Sequence, residues 1–149
     1  MKTISIFAIA LCLAASQLAA QSIQPQDGTW KIQPSPIAND GCPEFLLELI
    51  SFGAVAPLRF DVPYEPNLGQ STVRVSENHW RAQEVFEDED ENGLYRWIVT
   101  NDLRVLATTE LRQDRIFVVE TSGTRHQEIG MTGASCRASV SFAVTRTGR

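Results

Sequence analysis

From Leu58 to the carboxyl end of this 149-residue chain, apolar side chains recur mainly at every second position. Turn residues interrupt them about every ten residues, the pattern of an antiparallel meander. Leu58, Phe60, Val62 and Tyr64 alternate with Arg59, Asp61 and Pro63, and the prolines at 57, 63 and 66 place this strand at a sheet edge. Val73 and Val75 begin the next strand; beyond a tight turn at Glu77 and Asn78 the rhythm resumes at Trp80, Ala82 and Phe86. The acidic run Glu87 to Gly93 predicts a turn, after which Leu94 to Thr100 carries Tyr95, Trp97 and Val99 on one face. Turns predicted at Asn101 and Asp102, at Gln113 and Asp114, and at Ser122 and Gly123 frame strands at Val105 to Leu111, Ile116 to Val119 and 124 to 131. In the last strand Ala138, Val140, Phe142 and Val144 oppose Ser139, Ser141 and Thr145.

One segment departs from period two. Pro43, Glu44, Phe45, Leu46, Leu47, Glu48, Leu49, Ile50 and Phe52 run to Gly53, with proline at a first-turn position, an acid beside it and glycine at the end. These are helix start and stop signals, and they predict a helix of about ten residues, with a buried strand as the alternative. Ile116 to Val119 is apolar on both faces, so the helix is expected to pack outside and cover the outer face of the sheet there. With a first strand at Trp30 to Ile32, the reading is mainly β: an antiparallel meander of about nine strands forming a curved sheet or small barrel, with one short N-terminal helix. A two-sheet sandwich is the competing arrangement.

Residues 1–20 read as a signal peptide: Lys2, an apolar stretch from Ile4 to Ala15, then a small-residue end at Ala19 and Ala20. That stretch is shorter than the roughly 20 residues a membrane span needs, and the residue before Cys12 is Leu11, not the small residue a lipid-anchored cysteine follows. The expectation is a single β-rich domain at 21–149, periplasmic or secreted, with no membrane insertion once the leader is removed. Setting Cys12 aside leaves Cys42 and Cys136, which an oxidising compartment would join in a disulfide. Net charge is -5, and Lys31 is the only lysine after the leader. An acidic balance with scattered arginines argues against nucleic acid as a partner.

Asp88, Asp90, Asn92 and Gly93 match the opening half of a calcium loop, in which alternating oxygens face the ion. The second half fails, because an EF-hand would need glutamate where Val99 stands. His79 and His126 fall on separate predicted strands with no free cysteine to join them, short of a zinc set. Neither Thr121, Ser122, Gly123 nor Gly133 to Cys136 matches a nucleophile elbow, and no cofactor motif is present. The chain therefore reads as non-enzymatic.

Trp30, Trp80 and Trp97 are the candidate ligand-binding residues, since aromatic walls suit an apolar or amphipathic ligand; core packing competes for all three. Gly28, Thr29 and Trp30, with Arg146 near the end, are similar to the Gly-x-Trp of lipocalin-like barrels and the late arginine that packs over that tryptophan. The similarity covers four residues, and the helix falls early where theirs falls late, so no family is assigned. Two functions follow as expectations: a small envelope binding protein using the three tryptophans, or an interaction or inhibitor module that docks another envelope protein. A tryptophan-lined cavity would favour the first. A filled core with an apolar surface around Phe45 to Phe52 would favour the second.

Overall fold

A computed structural model describes residues 21–149, so the signal peptide expected at 1–20 lies outside the described residues. The chain runs through β1 (Gly28–Pro34), β2 (Ala38–Asp40), α1 (Glu44–Ile50), β3 (Ala54–Leu58), β4 (Val73–Ser76), β5 (His79–Asp90), β6 (Gly93–Ala107), β7 (Glu110–Thr121), α2 (Arg125–Glu128) and β8 (Ser135–Gly148). All eight strands form one curved antiparallel sheet in the order β3-β1-β8-β7-β6-β5-β4, with β2 beside β8. The first and last strands in sequence are neighbours, Ile32 opposite Val144. Among the described residues no ladder joins the terminal strands β3 and β4, so the strands described there do not close into a barrel.

Alternation along β5 to β8 puts one set of side chains on a core face, in two clusters. Trp30, Trp80, Leu103, Val105, Leu111, Val140, Phe142 and Val144 make the first. Cys42, Leu46, Ile50, Phe117, Val119, Met131, Cys136 and Ala138 make the second. The second is closed by α1. Pro43 sits at its N-cap and Glu44 in its first turn, where an acid meets the positive end of the helix dipole. Leu46 and Ile50, four residues apart, are its buried residues. They meet Phe117 and Val119, which share a face of β7 with Leu111 of the first cluster, so α1 covers the core face and not the outer face expected for it, and Ile116 and Val118 stay half-buried on the outer side. The helix has seven residues where about ten were expected. The disulfide Cys42–Cys136 lies beside it, with the sulfurs 2.01 Å apart, and fastens the entry of α1 to the start of β8.

Four expectations change. Asn101 and Asp102 are not a turn, nor are Gln113 and Asp114: β6 and β7 run straight through, and Asn101 faces Arg115 as Asp102 faces Asp114. Polar side chains can sit mid-strand when cross-strand partners satisfy them, and these do. The acidic run belongs mostly to β5, and only Glu91 and Asn92 turn. The strand expected over Leu58 to Tyr64 is absent beyond Leu58, the last residue of β3, because the prolines that follow withhold ladder donors; Phe60, Tyr64 and Leu68 instead cap the first cluster. The predicted strand 124–131 is α2 and its turns. β7 pairs directly with β8, Glu120 opposite Ser135, which leaves no place between them for another strand.

Candidate functional site

Trp30 and Trp80 come together, but not around a hollow. Trp30 is 0 % exposed, and its indole N–H donates to the Gln26 carbonyl at 3.1 Å. Phe60 meets it edge-on at 5.4 Å, Tyr64 meets Phe60 at 5.3 Å and Trp80 at 5.6 Å, so aromatic rings fill the space between the two indoles. Burial there pushes the Tyr64 phenol up to about 12. Arg146 stands opposite Trp30 on β8, and its Nε donates to the Asp27 carbonyl at 2.9 Å. Trp97 lies apart, edge-on to Phe117 at 4.9 Å and Tyr95 at 5.5 Å. Its indole N–H is the one buried side-chain polar atom without a hydrogen-bond partner among the described residues. Trp97 also helps line a hollow of about 550 Å³ with Ser71, Glu84, Val85 and Phe86.

The calcium candidates are engaged by a guanidinium. Arg125 Nη2 bridges Asp88 at 2.8 Å and Asp90 at 2.9 Å, and the Asn92 backbone N–H donates to Asp90 at 2.8 Å. The turn holding Asn92 interlocks with the one after β7: Ser122 N–H donates to the Leu94 carbonyl and Thr124 N–H to the Asn92 carbonyl, both at 3.0 Å. Gly93, at φ +122°, sits so close to Ser122 that a Cβ there would stand 2.3 Å from its carbonyl oxygen.

Two polar groupings escaped the sequence reading. On the face opposite the core, Asp102 accepts from Arg81 Nε and Nη2 at 2.9 and 2.7 Å and lies 2.8 Å from His79 Nε2, with Arg104 at 3.5 Å. Burial pushes the Asp102 carboxyl up, but hydrogen bonds from His79 and Arg81 and the nearby Arg104 charge outweigh it and hold the group below the usual carboxylate range. Between the two core clusters, Asn101 Oδ1 accepts from Arg115 Nε at 2.8 Å and Gln113 Nε2 at 3.1 Å. Arg115 also lies over the rings of Phe52 and Phe142, 5.9 and 5.6 Å from their centres, and burial lowers its pKa. A usable signal existed: Val99, Asn101, Leu103 and Val105 keep the two-residue rhythm unbroken. The first grouping satisfies a nearly buried carboxylate, and the second satisfies an amide oxygen and a guanidinium between the core clusters.

The surfaces that could meet another molecule lie elsewhere. Phe45 and Leu49, one helical turn apart on α1, are 49 % and 62 % exposed, and Phe52 and Val55 after the helix are 48 % and 67 % exposed. A separate hollow of about 660 Å³ is lined by Pro34, Leu106, Leu111 and Phe142 among others, and by none of the three tryptophans. At the far side of the sheet, β5 is exposed from Gln83 to Asp90.

Comparison with protein-family models, with curated proteins and with solved structures gives no match, so the functional reading rests on geometry.

Proposed function

We propose that this protein is a non-enzymatic interaction module of an oxidising, extracytoplasmic compartment, docking another protein through α1 and the turn into β3. The carrying observation is the exposure of Phe45, Leu49, Phe52 and Val55 while Trp30 and Trp80 fill the core. A large apolar cluster left on a surface commonly marks a contact. The disulfide Cys42–Cys136 supports the compartment. Among the described residues no helix is long and apolar enough to cross a membrane. The alternative, a binder of an apolar or amphipathic small molecule, draws its support from the hollow near Leu106, Leu111 and Phe142.

The test places a photo-crosslinking side chain at Leu49, with a control at exposed Thr145, in protein expressed in its own compartment. The expected result is one discrete protein adduct from position 49 that disappears when Phe45→Ser is added and re-forms with the purified partner. Native mass spectrometry of the isolated protein should then give the bare disulfide-bonded mass. A retained small molecule with no specific adduct would overturn the interaction reading.

A further inference from the structure

The backbone of β5 is used on only one edge for most of its length. Toward β6 it pairs without a register break from His79 opposite Arg104 to Asp90 opposite Gly93. Toward β4 the ladder stops at Val73 opposite Arg81. Two positions farther along each strand, the Gln83 N–H donates to Ser71 Oγ at 2.9 Å, and the Ser71 hydroxyl donates to the Gln83 carbonyl. Both backbone groups of Gln83 therefore point to the open edge. In a regular antiparallel strand that direction alternates by residue, so the N–H and C=O groups of Val85, Glu87 and Glu89 point there too. No backbone partner meets them among the described residues.

Natural sheets protect such an edge with proline, lysine, a bulge or a covering segment. Between Gln83 and Asp90 the sequence has no proline or lysine, and the pairing has no bulge. What it has is negative charge. Glu87 is paired by Arg96, and Asp88 and Asp90 by Arg125, while Glu84 and Glu89 have no ion-pair partner among the described residues. A second copy of this strand would set acid against acid, so self-pairing is disfavoured. Beside the edge lies the hollow of about 550 Å³, where Phe86 is 62 % exposed and Trp97 carries its unpartnered indole N–H.

We propose that the open edge of β5 from Gln83 to Glu89 receives an extended basic segment of another protein as an added strand. Its backbone pairs with Val85, Glu87 and Glu89. Alternate side chains enter the hollow over Phe86 and Trp97, on the face that also carries Glu84, and lysine or arginine on the opposite face meets Glu89. This is strand addition, in which main-chain hydrogen bonds supply affinity and alternating side chains supply selection. The edge is three strands from β8, where α1 packs, so the inference stands or falls separately from the proposed α1 surface.

The probe is a capped seven-residue peptide alternating lysine and valine, added to the disulfide-bonded protein at physiological salt. Three readouts are taken: binding by calorimetry, amide hydrogen exchange, and binding of the same peptide N-methylated at alternate residues. Exchange at Val85, Glu87 and Glu89 should slow about tenfold or more on binding, and N-methylation should weaken binding about tenfold or more while keeping every charge. Val85→Pro, which removes an edge N–H that no ladder uses, should weaken binding similarly, and Glu89→Gln, on the face the lysines take when valine enters the hollow, should also weaken it. Equal binding of the N-methylated peptide would mean charge attraction alone and would overturn the proposal. So would unchanged exchange at the three amides, or dimerisation of the free protein through this edge.

Discussion

Asp102 keeps a nearly buried carboxylate ionised in the middle of a long strand by surrounding it with His79, Arg81 and Arg104. Replacing it by asparagine keeps the shape, loses the charge, and turns one of the two accepting oxygens that serve His79 and Arg81 into a donor NH2. Asp102→Asn should lower the unfolding free energy by about 2 kcal/mol at neutral pH. The pH dependence follows from the depressed carboxyl. A group ionised more readily in the folded than in the unfolded chain stabilises the fold fully above its unfolded pKa, about 3.9, and that stability is lost as pH falls through the lower folded value. The gap between wild type and Asp102→Asn should therefore be constant above about pH 5 and narrow below about pH 4. Urea unfolding of both proteins across that range measures it; a gap that widened in acid would contradict the assigned partners. Nothing adjacent to Asp102 in sequence announces this role, because His79 and Arg81 arrive from another strand and only the β5 to β6 register brings them within reach.

At the level of elements, α1 separates two kinds of leucine. Leu46 is fully buried against Phe117 and Val119, whereas Leu49 is 62 % exposed on the proposed docking side. Leu46→Ala should cost about 3 kcal/mol through lost burial and the cavity left behind. Leu49→Ser should stay within about 0.5 kcal/mol of wild type, and the same unfolding curves distinguish the two. If both substitutions proved equally costly, Leu49 would be packed and its place in the docking surface lost. The helix was legible in the sequence because its signals are local: a proline at a first-turn position, an acid beside it and a glycine at the end. The strands β6 and β7 were legible as alternation but not as unbroken elements. Asn101, Asp102, Gln113 and Asp114 have turn-like composition, and only their pairing across β6 and β7 shows that they continue the strands. The segment 59–72 erred in the other direction: its alternation is real, yet its prolines cannot serve a ladder, and its aromatic rings cap the core instead.

For the whole molecule, the Cys42–Cys136 bond links residues 94 apart in sequence. It ties the helix that closes the second core cluster to β8, an interior strand of the sheet. On the chain-entropy account, cross-linking a loop of that length stabilises the fold by about 4 to 5 kcal/mol. The double replacement Cys42→Ser with Cys136→Ser should therefore shift the urea midpoint down by an amount matching a loss of that order. Hydrogen exchange in α1 should rise more than in β6, which keeps both of its neighbours. An unchanged midpoint would mean that sheet and core alone set the stability.

By itself the sequence determined the antiparallel β class, the early helix and the pairing of the two cysteines. Those properties follow from two-residue periodicity, from local helix start and stop signals and from a count of thiols, which neighbours along the chain suffice to express. Only the tertiary structure decided that Trp30 and Trp80 fill a core, that Asp102 and Asn101 are held inside strands, that Arg125 takes the carboxylates of Asp88 and Asp90, and that β5 ends with an open edge. Each depends on which distant segment lies alongside. A side chain's burial, charge balance and unused hydrogen bonds are set by partners tens of residues away, and periodicity carries no record of them.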